Sequence, residues 1–95
     1  VVTRTGTLAE LDWRNPHIYM LVDVEDSGKV GRWSFEGPPP GFFRSRNVDR
    51  PAFQASKGKG VTVEASRPRN GSAAGLIRQV TLNDGTVVSA CPQNC

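Results

Sequence analysis

The chain begins with polar and apolar residues in alternation, the pattern of a half-buried strand. Between positions 7 and 13 the odd residues share one face, and Glu10 and Asp12 lie on the other. The dipeptide Asn15-Pro16 ends this strand, because proline has no N–H for a sheet ladder. We therefore expect a corner here, with the Asn15 side chain capping backbone groups of the turn.

The same period of two recurs downstream and predicts five further short strands. Turns rich in glycine, proline and asparagine separate them. The predicted strands cover residues 18–25, 29–35, 61–65, 76–82 and 86–90. Pro40 stands at a favourable first helical position, so a short helix is expected from there through Arg46. Residues 47–60 are expected to be irregular.

Six short strands with one brief helix between the third and fourth predict an all-β fold, a β-barrel with one short helix. The layout favours a five- to six-stranded oligonucleotide/oligosaccharide-binding (OB)-like barrel. The 95 residues form a single domain, with an N-terminal arm at 1–5 and a cysteine-bearing tail at 89–95. The predicted core consists of apolar residues from the strands: Leu11, Trp13, Ile18, Met20, Val22, Trp33, Phe35, Val61, Val63, Val80 and Leu82.

The formal net charge of +3 comes mainly from arginines scattered along the middle of the chain. The densest basic segment, residues 44–50, contains Asp49, and no block of five like charges occurs. This distribution is typical of a solvated surface and argues against nucleic acid as the partner. No window approaches the roughly 18 apolar residues of a membrane span, so no membrane insertion is expected.

The candidate functional residues cluster around the first corner and its neighbouring strands. We expect a structural corner, with no metal and no cofactor, from Asn15, Pro16 and His17. A zinc or copper site needs three or four convergent ligands, and His17 is the chain's one histidine. Four carboxylates offer a weak alternative site for a hard cation: Glu10, Asp12, Asp23 and Glu25. Four aromatic residues are candidates for a stacking platform, although indole and phenyl rings on strands more often belong to the core: Trp13, Tyr19, Trp33 and Phe35. No nucleophile elbow or phosphate loop is present, so no enzyme activity is expected.

The segment from Gly6 to His17 has the form G-x-L-x-x-L-x-W-x-N-P-H, and weaker motifs follow, such as Trp33-x-Phe35 and Lys59-Gly60. Together these motifs resemble those of a family of secreted bacterial OB-like domains of unassigned function. The resemblance covers residues 6 to 88. It implies a periplasmic or extracellular location. A chain that starts at Val1 rather than methionine agrees with the expectation of a removed signal peptide.

The two ends of the chain are candidates for assembly contacts. Both cysteines lie in the last five residues, as Cys91-Pro92-Gln93-Asn94-Cys95, with a spacer that differs from the C-x-x-C redox motif. In an oxidising compartment Cys91 and Cys95 either bond to each other or to another chain. The β-prone arm consists of Val1, Val2, Thr3, Arg4 and Thr5. It either adds to the sheet edge of a neighbouring subunit or lengthens the first strand of its own chain.

Three function classes follow from these observations. The first is a secreted, non-enzymatic binding or assembly module of unassigned ligand. The second is a self-assembling extracellular filament subunit, a homo-oligomer linked through its terminal strands and disulfides. The third, a binder of single-stranded nucleic acid or oligosaccharide, rests on the fold class alone.

Overall fold

The structure is a computed structural model, and it describes residues 1–91. Over these residues the chain forms six strands and two short helices. In chain order they are β1 (Val2–Asp12), β2 (Tyr19–Asp26), β3 (Lys29–Glu36), α1 (Pro40–Arg44), α2 (Arg50–Gln54), β4 (Gly60–Ser66), β5 (Ala74–Thr81) and β6 (Val87–Ser89). The prediction of a small all-β fold with a helix starting at Pro40 is confirmed.

Backbone pairing joins all six strands in the order β3-β2-β1-β4-β5-β6. Neighbours in this order are antiparallel. One further pairing is parallel and joins residues 34–36 of β3 to residues 74–76 of β5. The architecture is therefore a mostly antiparallel sheet whose two non-neighbouring strands β3 and β5 meet over a short stretch.

A β-bulge in β1 reverses the inward-facing positions of this strand. Its register against β2 pairs Leu8 with Val22 but Glu10 with Leu21, so Ala9 is an extra residue. Leu8 is completely buried. The prediction that the odd positions of this strand share the inner face is therefore wrong before the bulge, because one inserted residue moves every later side chain to the opposite face.

The connection between α1 and β4 is more regular than predicted. The Asp49 side chain accepts a hydrogen bond from the backbone N–H of Arg50 at the start of α2, and Pro51 fits the first turn, where no intrahelical N–H bond is needed. Phe53 is completely buried. The expectation of an irregular segment at 47–60 is thus wrong for α2, because burial of one aromatic ring orders a short helix that has no amphipathic pattern of its own.

The core consists of inward-facing strand residues together with one phenylalanine from each helix. Eight of the eleven predicted core residues are buried, whereas Leu11, Trp13 and Trp33 are partly buried and pack against the core. The buried cluster is Leu8, Ile18, Met20, Val22, Val24, Phe35, Phe43, Phe53, Val61, Val63, Ala65, Ile77, Val80, Leu82, Val88 and Ala90. Both phenylalanines were absent from the prediction because their elements are too short to show a period.

The predicted N-terminal arm lies within β1. Val2 pairs with Ala65 of β4, and Thr5 pairs with Thr62, whose hydroxyl lies 2.9 Å from that of Thr5. The arm therefore lengthens the first strand of its own chain. Pairing with β4 uses one edge of this segment, whereas the ladder with β2 begins at Thr7, so addition of the arm to a neighbouring subunit stays a prediction.

The predicted C-terminal tail is described only in part. Ala90 is buried, and its N–H donates to the carbonyl of Arg78 over 2.9 Å. Residues 92–95, and with them Cys95, lie outside the described residues, so the pairing of Cys91 with Cys95 stays a prediction. Within residues 1–91, no helix has the length and apolar character to cross a membrane.

Candidate functional site

A groove lies on the surface where β3 meets β5. Two hollows of about 340 and 330 Å³ adjoin there and share Glu36, Ser66 and Leu76. We call the two hollows together the β3–β5 groove. Its lining comes from the first corner, from strands β2 to β5 and from the end of the described chain: His17, Tyr19, Ser34, Glu36, Gly37, Pro38, Ser66, Arg67, Pro68, Ala74, Gly75, Leu76, Ile77, Arg78, Ala90 and Cys91.

Leu76 lies where the two hollows join, with 57% of its surface exposed. Its neighbours Gly75 and Ile77 are buried, so the alternation of β5 turns Leu76 outward. A Cβ at position 75 would lie 2.9 Å from the Cβ of Ala65, which explains why glycine is needed for this close approach of β4 and β5. A single exposed leucine is ordinary. Flanked by concave surface on both sides, it offers apolar contact to a ligand.

The signature corner borders this groove. The Asn15–Pro16 peptide bond is cis, and the exposed His17 ring places Nδ1 3.2 Å from the carbonyl oxygen of Gly37. The Asn15 side chain is exposed and makes no hydrogen bond to any of residues 1–91, which corrects the expectation that it caps the turn. The corner is therefore joined to the end of β3 through His17 and not through Asn15.

Two polar side chains in the groove are bonded across β2 and β3. Tyr19 and Glu36 are register partners, and the Tyr19 hydroxyl donates to Oε1 of Glu36 over 2.8 Å. Donation to a carboxylate raises the pKa of Tyr19 above its usual value, because loss of the proton would place two negative charges together. The pair thus presents a neutral phenol and a carboxylate that is already hydrogen-bonded.

A third polar side chain of the groove, Arg78, connects β5 to β4. Its Nε lies 3.7 Å from a carboxylate oxygen of Glu64, and its Nη1 donates to the Ser66 hydroxyl over 3.4 Å. Arg78 occupies the position where the β4–β5 register shifts, between the pairs Glu64–Gln79 and Ala65–Ile77. The bulge therefore places this arginine at the groove.

Trp33 lines neither hollow, but two arginines lie against its ring, and one of them, Arg67, lines the second hollow. The guanidinium carbons of Arg4 and Arg67 lie 4.8 and 5.0 Å from the ring centroid, within cation–π range. Phe35 stacks on the same indole at 5.8 Å. We call Arg4, Trp33 and Arg67 the Trp33 cluster; its members come from β1, β3 and the turn after β4.

Trp13 occupies a different place. Its ring lies 5.4 Å from Phe43 and 5.0 Å from Phe53, so it packs on the two helices. Its Nε1 is buried and has no hydrogen-bond partner among residues 1–91. The structure therefore separates the two tryptophans, and they do not form one stacking platform.

The candidate carboxylates lie on the outer face of the first two strands. Asp23 accepts two hydrogen bonds from Arg32, at 2.8 and 3.2 Å, and these lower its pKa. Asp12 pairs with Arg14 at 3.0 Å. Among the described residues no three His, Cys, Asp or Glu side chains come together as a metal site would require.

Sequence reasoning found His17 and Trp33 but missed the residues that join them into one region. Leu76 and Arg67 belong to segments that a local pattern marks only as strand and turn. The parallel pairing of β3 with β5 brings these segments together over about forty residues of chain, as in Phe35 opposite Gly75. The signal that could have found them is an apolar residue at an outward strand position.

Fold and groove together define a small all-β domain with an open surface groove. The family model of DUF6152, a family of unknown function, matches residues 1–80, and the chain belongs to this family. This agrees with the expectation of a family without an assigned function. The matched residues include the Trp33 cluster and the whole groove except Ala90 and Cys91. No curated protein and no solved structure matches the chain.

Proposed function

We propose that this protein is a non-enzymatic binding module, located outside the cytoplasm, that holds a small amphiphilic molecule in the β3–β5 groove. The observation that carries the proposal is the exposed Leu76 between two adjoining hollows of about 340 and 330 Å³. Sites for small molecules are concave and mostly apolar, with a few polar groups that orient the ligand. Here Tyr19, Glu36 and Arg67 are such groups, beside an apolar surface of leucine, proline, alanine and glycine.

We also propose that the fold is an OB-like barrel. β1 pairs with β2 and β4, β2 with β3, β4 with β5, and β5 with β3, so the pairings return to the first strand. Both helices lie between β3 and β4 in the chain. A barrel of five strands with a helical segment at this point supports an OB-like assignment.

The charge of the outer face favours the groove over the usual OB-fold surface as the binding site. OB-folds bind oligonucleotides and oligosaccharides on the face of strands 2 and 3. Outside the groove, the outward positions of β1 to β3 carry four carboxylates and one arginine: Glu10, Asp12, Asp23, Glu25 and Arg32. Such a face repels a phosphate backbone, so support for a nucleic-acid function is weak.

Two further observations support a binding role without enzyme activity and a location outside the cytoplasm. The polar groups of the groove bind one another or the backbone, as Tyr19 binds Glu36 and His17 approaches the carbonyl of Gly37, and this arrangement favours binding over catalysis. A location outside the cytoplasm is supported by Cys91 and Cys95, since paired cysteines in a small domain are typical of oxidising compartments.

The test uses N-phenyl-1-naphthylamine, a neutral apolar fluorophore, with two matched variants. Leu76 and Val87 are each 57% exposed, but only Leu76 lines the groove. We expect the wild type and V87S to bind the probe alike, and L76S to bind it about fivefold more weakly, because part of the 1.5–3 kcal/mol from burying one leucine is lost.

Equal binding by L76S and V87S, or no binding by the wild type, would contradict the proposal. Sedimentation velocity of the same three proteins tests whether a second copy of the chain, and not a small molecule, occupies the groove. If the wild type is a dimer that L76S alone converts to a monomer, a second copy of the chain covers the groove and the small-molecule proposal is wrong.

A further inference from the structure

We infer that the ligand of the β3–β5 groove carries an oxyanion, and that Arg67 and Arg4 of the Trp33 cluster bind this group. The inference rests on the proposed function and deepens it, since it names the chemistry of one end of the ligand. Its evidence is the distribution of charge along the groove and the arrangement of the two guanidinium groups.

The charged groups of the groove differ in whether they have a counter-charge. Glu36 is hydrogen-bonded to Tyr19, and Arg78 lies 3.7 Å from Glu64. Within residues 1–91, neither Arg67 nor Arg4 has a carboxylate within ion-pair distance. The second hollow is therefore lined by one arginine, Arg67, whose charge no acidic residue of the described chain neutralises, and Arg4 lies against the same indole ring.

The two guanidinium groups lie against the same ring. Each guanidinium carbon is within 5.0 Å of the indole centroid, so the two carbons are at most about 10 Å apart, and Arg4 adds its positive charge to the electrostatic field at Arg67. Arg67 donates to the carbonyls of Gly71 and Ser72, and Arg4 donates to the carbonyl of Thr3. Since a guanidinium has five N–H donors, each keeps donors for a carboxylate, sulfate or phosphate group.

The positions of the two arginines are set before any ligand binds. The turn carbonyls at 2.5 and 3.2 Å hold the Arg67 side chain, and the Trp33 ring, which stacks on the buried Phe35, supports both guanidinium groups. Fixing these flexible side chains in advance lowers the entropy cost of binding.

The same charges orient the ligand. Glu36 lies where the two hollows meet and repels an anion, whereas Arg67 lies in the second hollow only. The oxyanion is therefore placed at Arg67, and the apolar part of the ligand extends toward Leu76. An amphiphilic carboxylate has this distribution of charge.

The experiment compares octanoate with 1-octanol, which share an apolar chain and differ in the headgroup. Dissociation constants are measured by NMR titration of the amide signals of the full chain. We expect the wild type to bind octanoate more tightly than octanol. R67Q and R4Q should each weaken octanoate binding by about fivefold, the upper end for one exposed ion pair, and should leave octanol binding unchanged.

R69Q is the matched control, because it removes the same charge from an exposed arginine two residues further along the same turn, outside the Trp33 cluster. R69Q should bind both probes as the wild type does. Raising the salt concentration should weaken the binding of octanoate but not of octanol.

Three outcomes would overturn the inference, and they differ from failure of the proposed function. Equal affinity for octanoate and octanol, or equal losses in R67Q and R69Q, shows that the groove binds apolar molecules without an anion site. Inorganic sulfate that binds as tightly as octanoate, and is lost in R67Q, shows a site for a free anion. If neither octanoate nor octanol binds, the proposed function itself is wrong.

Discussion

Phe35 and Trp33 stand two positions apart on β3 and point the same way, yet they differ in burial. Phe35 has no exposed surface, whereas Trp33 is partly exposed at the edge of the core. Alternation alone assigns both rings to the core, because a period of two identifies the face but not how far the neighbouring strands cover it. The burial of a side chain near the end of a strand depends on how far the neighbouring strands cover it.

The first prediction follows from this difference in burial. F35A should lower the free energy of unfolding by about 3–5 kcal/mol, because it leaves a cavity in the closed part of the core. W33A should cost less, since part of the ring is already in contact with water. Urea unfolding of both variants and the wild type measures the two losses, and an equal or larger loss in W33A would contradict the burial described for Trp33.

Gly6 shows a second residue-scale effect that only the assembled sheet produces. A Cβ on Gly6 would clash with the backbone carbonyl of Asp23 in β2. The glycine is required by this close approach of two strands and not by its own backbone dihedrals, which are not among the positive-φ positions. Its presence in the signature from Gly6 to His17 therefore has a packing reason.

At the scale of elements, β1 joins the two halves of the fold. Its first six residues pair with β4, and its last six, apart from the bulge residue Ala9, pair with β2, with residue 7 in both ladders. The bulge at Ala9 lies close to the change of partner. Bulges increase local bending and twist, which allows one long strand to serve both neighbours.

The second prediction concerns the first five residues of this strand. Deleting residues 1–5 removes four of the β1–β4 pairs, Val2–Ala65 to Thr5–Thr62. The deletion should lower the free energy of unfolding by about 1–4 kcal/mol, because each cross-strand pair contributes roughly 0.2–1 kcal/mol. Urea unfolding followed by circular dichroism measures the effect.

A variant of matched length tests whether the cross-strand side-chain pairs are responsible for this loss of stability. Replacing residues 1–5 by five glycines keeps the chain length but removes every side chain of the segment. It should be destabilised as the deletion is. A deletion protein as stable as the wild type would show that these residues are dispensable for the fold and free for contacts between subunits.

At the scale of the whole molecule, residues 2–5 pair with β4 along one edge, and their other edge lies outside the β1–β2 ladder, so assembly through this segment stays a prediction. Assembly through the cysteines stays open, because Cys95 lies outside the described residues. The two alternatives, a loop within one chain or a bond between chains, give different covalent masses.

The third prediction is that protein secreted into an oxidising compartment is a covalent monomer. Only three residues separate Cys91 from Cys95, so each cysteine has its highest effective concentration toward the other. Intact mass under non-reducing conditions should equal that of one chain less two hydrogen atoms. A mass of two chains that returns to one after reduction would support the filament hypothesis instead.

The sequence by itself determined the elements with strong local signals. Alternation located six strands, and the three prolines at 38–40 marked the start of α1. The signature from Gly6 to His17 indicated a family of unassigned function, in agreement with the match to DUF6152. These features are local because period, turn residues and proline act within a few residues of chain.

Only the tertiary structure decided the faces, the burial and the candidate site. The extra residue Ala9 in β1 changed which side chains enter the core, and burial of Phe53 ordered α2. The groove and the Trp33 cluster arise where strands distant in the sequence meet, with Arg4, Trp33 and Arg67 brought to one place by three different elements. No local pattern encodes such contacts, because they depend on strand register and on which edges pair.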